Sequence, residues 1–440
     1  MSSPLPADRW ESLVAEYGSP LYVYELEEVR AAHAELAASL PDGAGLLYSL
    51  KANPHPALVA ELGRLGCGAE VSSHSELVTA LAAGIDPGLV SYTGPGRSEA
   101  ETVAAVEAGA RLFSVDSADQ YATLARAAAR CGAAVEAVLR VNPDRAPQAP
   151  GLAMTGVASQ FGIDEHLLTS RPERYRSAPG CEIVGLHFYL GSNVPDPDGL
   201  ARQFTDSLAS AARICAALGI RPRILNLGGG FPSGYARAEP AVGLAAVGPA
   251  VERALHACFP ARDARPRLLF ESGRRLVGRS GVLVARVVDV KESKGRRFAV
   301  LDSGINHLGG MTALGRLPRM QAAVAGDAAA RPLEGAVPVD VVGPLCTPLD
   351  SWARGQRLAV EAGDLVTVPQ VGAYGLTASL LAFLGRACPT ELVTDRGAVV
   401  DASALVYTRV AVGPAAGPSS PDASNASRVA GSSSAPASAK

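Results

Sequence analysis

A single lysine, Lys51, stands at the end of an apolar run in the stretch LLYSLKANPHP. The small and turn-forming residues Ala52 and Asn53 follow it directly, so we expect the lysine to lie where a strand ends. A lysine without neighbouring charges can have a lowered pKa and form a Schiff base with a carbonyl compound. Because an isolated lysine at a strand end is more often a solvated surface residue, this chemistry depends on other residues nearby.

Three consecutive glycines, Gly228, Gly229 and Gly230, follow another apolar run in ILNLGGGFP. Backbone without side chains can bring its N–H groups close to a phosphate, so this turn is a candidate phosphate site. Glycine turns also close many strands for steric reasons alone. The triplet by itself therefore leaves both interpretations open.

Two further strand ends carry polar side chains. FESGRRLVG contains Glu271, followed by Gly273 and Arg274, and GLHFYLGSN contains His187 and Ser192. Glu271 could form a surface ion pair, or it could be the partner of a pyridinium nitrogen. His187 could be a satisfied core residue or a flat plate against a ring. Together with the lysine and the glycines, these side chains indicate a site that holds a phosphate and a ring.

The predicted elements around these residues follow a repeating order. Up to Phe270, short apolar runs alternate with amphipathic stretches, as in GLLYSL followed by PALVAELGRLG. This order is typical of parallel strands joined by helices, and about eight such units predict a TIM (β/α)8 barrel of the α/β class. From Gly281 the runs are strand-like, which predicts a second, mainly β domain. Beyond Gly413 the chain is rich in Ala, Ser, Pro and Gly, and we expect it to be disordered.

Composition argues against several classes of protein. The 440 residues have a formal charge of −3 and no long basic run, which gives no reason to bind nucleic acid or anionic lipid. No apolar stretch reaches membrane-spanning length, and residues 1–10 lack a leader pattern, so we expect a cytoplasmic protein. The seven cysteines are scattered without a C-x-x-C pair, which argues against a disulfide framework and against a zinc site.

Short motifs occur along the chain in one order: YSLKANP, GCGAEVSSHSEL, TGPGRS, FSVDS, LRVNP, SQFGID, LHFYLGSN, LNLGGGFP, ESGRR, LDSGINH, VVGPLCTPLD and QVGAYG. The series resembles the fold-type III pyridoxal-phosphate decarboxylases, which include diaminopimelate, ornithine and arginine decarboxylases. The resemblance implies an alanine racemase-like barrel followed by a β domain, and a head-to-tail homodimer with shared active sites. The implied divisions are residues 1–27 as an N-terminal segment of the β domain, 28–270 as the barrel, 271–412 as the β domain and 413–440 as a disordered tail.

The resemblance implies a role for each candidate residue. Lys51 would hold pyridoxal 5′-phosphate as a Schiff base, His187 would stack on its ring, and Glu271 would pair with the ring nitrogen. The whole implied cofactor-binding set is Lys51, Glu76, Arg140, His187, Ser192, Gly228, Gly229, Gly230, Glu271, Gly273, Arg274 and Tyr374. Within it, the phosphate would be held by Ser192, the three consecutive glycines, Arg274 and Tyr374, while Arg140 and Glu76 would support the cofactor from below.

The resemblance also implies a catalytic thiol. Cys346, with Lys51 and His187, completes the implied catalytic set, and no metal is expected. Cys346 would reach the site from the second subunit, together with Tyr374, and would protonate the intermediate after carbon dioxide leaves. A thiol suits this task because its ordinary pKa of about 8.5 lies near working pH.

Three positions depart from the family pattern. Glu70 stands where the family usually has aspartate, and Ser272 replaces the proline of the customary EPGR. Thr347 follows Cys346, where diaminopimelate decarboxylases have an acid that holds the distal ammonium of the substrate. A hydroxyl group cannot supply that charge. The form CTPLD resembles instead a natural-product branch, including antibiotic biosynthesis, whose substrates are aminoacyl chains on acyl carrier proteins or siderophore intermediates.

We therefore expect decarboxylation of an amino acid linked to an acyl carrier protein or to another natural-product intermediate. Three alternatives stay open: a diaminopimelate decarboxylase of lysine biosynthesis, a non-catalytic decarboxylase-like binding protein, and a small cofactor carrier. Retention of Lys51, His187, Glu271 and Cys346 argues against the binding protein, and the β domain argues against the carrier, which consists of a barrel alone. Docking of an acidic carrier protein predicts a basic rim, for which Arg279 and Arg296 are candidates.

Overall fold

The computed structural model describes residues 7–144, 152–153, 156–309, 322–326 and 336–411. The chain divides into two compact units, Met1–Leu405 and Val406–Lys440. In the second unit, residues 406–411 are exposed and have no regular secondary structure. The tail predicted for residues 413–440 lies outside the described residues. None of the described helices is both long enough and apolar enough to cross a membrane.

Helices and strands alternate through the first two-thirds of the first unit. The helices are α1 (Ala7–Tyr17), α2 (Leu26–Ala37), α3 (Pro56–Arg64), α4 (His74–Ala82), α5 (Glu99–Glu107), α6 (Ala118–Cys131), α7 (Glu165–Ser170), α8 (Pro197–Leu218), α9 (Val247–Cys258) and α10 (Arg274–Val277). The strands are β1 (Leu21–Glu25), β2 (Gly45–Ser49), β3 (Gly68–Val71), β4 (Val90–Tyr92), β5 (Leu112–Val115), β6 (Val135–Asn142), β7 (Leu152–Ala153), β8 (Ile163–Asp164), β9 (Cys181–Phe188), β10 (Gly191–Ser192), β11 (Ile224–Asn226), β12 (Arg267–Ser272), β13 (Gly281–Ser293), β14 (Arg296–Leu301), β15 (Ala325–Gly326), β16 (Val337–Val342), β17 (Ser351–Leu358), β18 (Leu365–Pro369), β19 (Thr390–Asp395) and β20 (Ala398–Ala404).

Eight parallel strands close into a barrel. Their order around the ring is β2, β3, β4, β5, β6, β9, β11 and β12, and β12 pairs with β2 to complete it. The short strand β8 pairs with the last two residues of β6. The TIM barrel predicted from the alternation of strands and helices is therefore confirmed.

The barrel interior changes from apolar to polar along its strands. Five buried side chains from five different strands form one cluster: Leu47, Leu112, Val138, Val184 and Leu269. Because residues two apart on a strand face the same side, the next inward positions on β5, β6 and β12 are Ser114, Arg140 and Glu271. The apolar layer thus supports a polar layer at the carboxyl ends of the strands.

Serine side chains begin three successive barrel helices. The hydroxyl groups of Ser73, Ser98 and Ser117 each accept a hydrogen bond at 3.1 Å from the backbone N–H three residues later. These bonds satisfy N–H groups that have no partner within the helix. They begin α4, α5 and α6 soon after β3, β4 and β5, so the polar strand ends are joined to their helices by short connections.

The second sheet is mainly antiparallel and includes the first strand of the chain. Its order is β17, β16, β14, β13, β1, β19 and β20, and β18 pairs with β13. Strand β1 lies between β13, with which it is antiparallel, and β19, with which it is parallel. The prediction of a mainly β region after the barrel is confirmed, and the N-terminal strand belongs to that sheet.

Candidate active site

Polar side chains meet at the rim where the parallel strands end, which is the usual place for the active site of such a barrel. Lys51 lies in a short 3-10 turn, Leu50–Ala52, directly after β2. Glu70 lies in β3, His187 in β9 and Glu271 in β12. The structure therefore brings the predicted Lys51, His187 and Glu271 to one rim.

Lys51 forms an ion pair with Glu70. Its Nζ donates to Glu70 Oε2 at 2.6 Å, and the Thr93 hydroxyl donates to the other carboxylate oxygen at 2.6 Å. The side chain of Glu70 is buried, whereas that of Lys51 is 39% exposed to solvent. The departure from aspartate to glutamate thus places a carboxylate directly against the candidate Schiff-base lysine.

The pKa of Lys51 is raised, which differs from the sequence expectation. Desolvation lowers this pKa, but the nearby carboxylates of Glu70 and Glu271 outweigh it and hold the pKa above its usual value. Burial raises the pKa of Glu70, yet the ion pair with Lys51 and the hydrogen bonds to that carboxylate lower it overall. The lysine must therefore lose a proton before it can act as a nucleophile, and Glu70, whose own pKa is lowered, stabilises the ammonium rather than accepting that proton.

A chain of hydrogen bonds orients His187 and Glu271. His187 Nδ1 shares a hydrogen bond with the Ser114 hydroxyl at 2.8 Å. Its Nε2 lies 3.3 Å from Glu271 Oε1 and has no hydrogen-bond partner among the described residues. Asn226 donates to the same Glu271 oxygen at 2.7 Å and accepts from the backbone N–H of Gly228 at 2.9 Å. The buried carboxylate is therefore fixed in place by the strand next to it.

Close packing requires the glycine triplet. A side chain on Gly228 would place its Cβ 2.2 Å from the carbonyl oxygen of Phe188, and one on Gly229 would lie 2.3 Å from the carbonyl oxygen of Glu271. Gly228 and Gly230 also have φ angles of +68° and +106°, which favour glycine. The steric interpretation of this motif is thus satisfied. The N–H groups of Gly229 and Gly230 make no hydrogen bond to any described residue, so they are available as donors.

Tyr374 belongs to the same chain's site. Its backbone N–H donates to the carbonyl oxygen of Ala52 at 2.7 Å, next to Lys51, and its ring lies 4.6 Å from the guanidinium carbon of Arg274. The prediction that Tyr374 arrives from a second subunit is therefore wrong, because its own backbone holds it against the turn of Lys51. The absence of a side chain on Gly273 serves the same packing, since a Cβ there would lie 2.6 Å from Ala52 Cβ.

Arg140 and Glu76 lie beyond the residues that contact Lys51. The Arg140 guanidinium carbon is 4.7 Å from the centre of the Phe161 ring and 5.9 Å from that of Tyr189, and the Tyr189 ring is 6.0 Å from Lys51 Nζ. The Glu76 carboxylate accepts from the backbone N–H of Ser72 at 2.7 Å, beside the start of α4. Both side chains therefore border the site without reaching its lysine.

Ser192 and Cys346 are the two remaining predicted site residues, and they lie on different elements. Ser192 lies in β10, which pairs with β7. Cys346 lies in the connection from β16 to β17, where it is exposed. Within the part of the chain that the structure describes, Cys346 makes no bond to Lys51, His187 or Glu271. Its arrival in the active site of a second subunit stays a prediction.

Comparison with known proteins places this rim in a known family. The family described as "Pyridoxal-dependent decarboxylase, pyridoxal binding domain" matches residues 26–278. The chain belongs to this family of decarboxylases. It is 30% identical over 392 residues to an L-glutamyl-[BtrI acyl-carrier protein] decarboxylase of Niallia circulans, covering 88% of this chain and 91% of the relative.

Diaminopimelate decarboxylases are similar to the same extent. That of Zymomonas mobilis is 31% identical over 385 residues, covering 85% of this chain and 86% of the relative. The structure of the Helicobacter pylori enzyme complexed with L-lysine superimposes with a TM-score of 0.76 at 26% identity, covering 88% of this chain and 94% of that one. The chain is therefore a pyridoxal-phosphate-dependent amino acid decarboxylase.

The residues of the rim fit this cofactor. Pyridoxal phosphate needs an amine for its aldehyde, a carboxylate for its ring nitrogen and donors for its phosphate. The rim offers Lys51, the buried carboxylate of Glu271, and the N–H groups of Gly229 and Gly230 that no described residue uses. The buried His187 Nε2 without a hydrogen-bond partner among the described residues is a further polar atom that faces this space.

Four side chains of the site were missed from the sequence: Thr93, Ser114, Tyr189 and Asn226. Thr93 and Ser114 stand within the motifs TGPGRS and FSVDS, and Asn226 stands two residues before the glycines. The signal that could have found them is their position at the ends of barrel strands. Without the pairing partners, however, their polarity alone does not distinguish them from surface residues.

Proposed function

We propose that the substrate of this decarboxylase is an amino acid attached to a larger group, such as an aminoacyl chain on an acyl carrier protein. The Niallia circulans relative, named for a glutamyl acyl-carrier-protein substrate, supports this proposal. Relatives named diaminopimelate decarboxylase match at similar identity, so identity does not choose between the two substrates. The choice rests on the connection that carries Cys346.

The observation that carries the proposal is the chemistry of residues 343–350, which we call the thiol loop. The Thr347 hydroxyl, at the position after the cysteine, accepts from the backbone N–H of Leu349 at 3.3 Å. The thiol loop has one acid, Asp350, and this carboxylate is buried and bonded to backbone N–H groups. The loop therefore offers no carboxylate to a distal ammonium, and a closed site would leave that charge unpaired at a cost of several kcal/mol.

The residues of the rim have distinct tasks in this proposal. Lys51 would bind the cofactor aldehyde, and Glu70 would hold the charged lysine nitrogen in place. Glu271, fixed by Asn226, would keep the ring nitrogen protonated, and His187 would stack on the ring. Pyridoxal phosphate, when bound, supplies an electron sink for the carbon that loses its carboxylate. A carboxylate opposite the nitrogen strengthens that sink, which favours decarboxylation over racemisation.

Cys346 would donate the proton that replaces the carboxyl group. The bond between the α-carbon and the carboxylate breaks, carbon dioxide leaves, and the thiol hydrogen passes to the same carbon. Solvent then returns a proton to the thiolate. Because Cys346 is exposed and has no described bond to its own rim, this role requires a head-to-tail homodimer in which the thiol loop enters the partner's cleft.

A charge at position 347 tests the substrate proposal. Thr347→Glu should raise kcat/KM for free diaminopimelate by roughly tenfold or more, because the new carboxylate can pair with the distal ammonium. Thr347→Gln is the matched control, since it loses the same hydroxyl and has nearly the same size without the charge. The measurement is carbon dioxide release with free diaminopimelate and with a glutamyl chain on an acyl carrier protein.

Either of two results would count against the proposed substrate. One is turnover of free diaminopimelate by the natural chain at the efficiency of the carrier-bound substrate. The other is an equal response of the Glu and Gln variants, which would remove charge as the reason for the preference. Absence of carbon dioxide release from every amino acid tested, with cofactor bound to Lys51, would favour the non-catalytic binding protein.

Both arginines predicted to form a basic rim for carrier docking have carboxylate partners. Arg279 donates to Glu35 at 3.0 Å and lies 3.7 Å from Glu28, and its side chain is 18% exposed. Arg296 is bonded to the buried carboxylate of Asp340. Arg279 is therefore not a free cation, whereas Arg296 is 56% exposed and its part in a basic rim stays a prediction. The carrier proposal rests on the thiol loop and not on these arginines.

A further inference from the structure

The thiol loop is closed at its base by one buried carboxylate. Asp350 is 3% exposed, and its two oxygens accept hydrogen bonds from the backbone N–H groups of Ile305 and Leu345, each at 2.8 Å. Leu345 immediately precedes Cys346. A single carboxylate therefore joins the residue before the thiol to a separate segment of the β domain.

Two glycines leave room for this carboxylate. A Cβ on Gly304 would lie 2.4 Å from Asp350 Oδ1, and a Cβ on Gly343 would lie 2.3 Å from Oδ2. Real Cβ atoms do not approach oxygen this closely, so side chains at both positions would displace the carboxylate. Neither glycine has the positive φ that would otherwise explain its presence. The space between the two segments is thus shaped for Asp350.

Further bonds close the thiol loop around this point. The backbone N–H of Gly343 donates to the carbonyl oxygen of Asp350 at 3.2 Å, and the N–H of Thr347 donates to that of Leu345 at 2.8 Å. The Arg386 guanidinium donates to the carbonyl oxygen of Pro344 at 3.2 Å. The loop is therefore held firmly at its base while Cys346 stands exposed at its tip.

We propose that Asp350 is a positioning residue, which fixes the direction in which the thiol loop presents Cys346. The inference rests on the proposed role of Cys346 as proton donor. A proton donor must meet the reacting carbon within hydrogen-bond reach, and a displacement of about 1 Å can reduce the rate by up to a hundredfold. A carboxylate that bonds to the residue before the thiol sets this position directly.

The test is a double-mutant cycle on the full-length enzyme. Asp350→Asn, which keeps one acceptor oxygen, should reduce kcat by about tenfold with KM within twofold, and Asp350→Ala should reduce it further. In the Cys346→Ala background, Asp350→Asn should have no further effect on kcat, because there is no thiol left to position. Absorbance of the lysine-bound cofactor should be the same in all variants.

Asp340→Asn is the control, and it is the harsher change because it also removes the carboxylate partner of Arg296. Asp340 is 5% exposed, lies in β16 immediately before the thiol loop and also accepts a backbone N–H, that of Gly355, at 2.8 Å. If Asp340→Asn reduces kcat as much as Asp350→Asn does, Asp350 has only a general structural role. The same conclusion follows if Asp350→Asn lowers kcat equally with and without the thiol. Full kcat in Cys346→Ala alone would instead overturn the proposed function of the thiol.

A second variant covers the case in which Asp350→Asn does not fold. Gly343→Ala leaves every polar group in place and crowds both the carboxylate and the facing backbone, since its Cβ would lie 2.3 Å from Asp350 Oδ2 and 2.5 Å from the Gly304 Cα. It should show the same loss of kcat and the same dependence on Cys346. Natural kcat in a folded Gly343→Ala enzyme would contradict the positioning role.

Discussion

Glu70→Gln tests the ion pair at the base of the site. The substitution keeps the size of the side chain and removes its charge, so Lys51 loses the carboxylate bonded to it at 2.6 Å. Thr93 can still donate to the amide oxygen. The change therefore isolates the charge of Glu70 from its packing.

The free energy involved follows from the pKa of Glu70. Burial raises this pKa, but Lys51 and the hydroxyl donors lower it more, from 4.5 to about 2. A difference of this size corresponds to at most roughly 3 kcal/mol of stability at neutral pH. Because the Lys51 side chain is 39% exposed, solvent screens part of the interaction, and we expect a loss of about 1–2 kcal/mol in the variant.

The dependence on pH has a definite sign. The folded-state pKa of Glu70 lies below its ordinary value, so its contribution is complete above pH 4.5 and is lost as the pH falls from 4.5 toward 2. Urea denaturation of the full chain at neutral pH should show the loss in Glu70→Gln, and the difference from the natural chain should shrink below pH 4.5.

Glu391→Gln is the matched control for this measurement. Glu391 is also a buried strand glutamate, and Tyr24 donates to it at 2.8 Å, but burial raises its pKa. Removing its charge should cause no loss of stability at neutral pH. If Glu70→Gln were as stable as the natural chain at pH 7, or if its loss did not depend on pH, the ion pair would not stabilise the fold as argued.

Three further predictions follow from the site. Lys51→Ala should lose both the absorbance of lysine-bound cofactor and the adduct formed by borohydride; an adduct that persists would exclude Lys51. Mixing Lys51→Ala with Cys346→Ala chains should restore part of the activity, because mixed dimers contain one intact site, and no recovery after confirmed subunit exchange would contradict shared sites. Gly229→Ala should cost about 1–3 kcal/mol of stability by forcing its Cβ against the carbonyl of Glu271, and an unchanged denaturation midpoint would contradict this.

The sequence predicted the barrel because alternating strands and helices leave a local pattern. Lys51, His187 and Glu271 were predicted to share a site for the same reason, since all three stand at strand ends. The partners of these residues were harder to predict. The contact of Lys51 with Glu70 joins two neighbouring strands. The sequence around each residue does not show which side chain of the other strand lies opposite.

Contacts between distant parts of the chain explain why Arg279 and Tyr374 were wrongly predicted from the sequence. The pairing of Arg279 with Glu35 joins the end of the barrel to α2, so the arginine resembled a free surface charge in the sequence. Tyr374 was expected from a second subunit, but the bond from its N–H to Ala52 fixes it beside Lys51 in the same chain. The burial of Asp350 likewise depends on Gly304 and Gly343 meeting in space.

The most direct test of the account compares two substrates on the purified, cofactor-loaded enzyme. Carbon dioxide release is measured with a glutamyl chain carried on an acyl carrier protein and with free diaminopimelate at equal concentration. We predict efficient release from the carrier-bound amino acid and poor release from diaminopimelate, because the thiol loop offers no carboxylate to the distal ammonium. Efficient release from free diaminopimelate, with little from the carrier-bound amino acid, would contradict the proposed function.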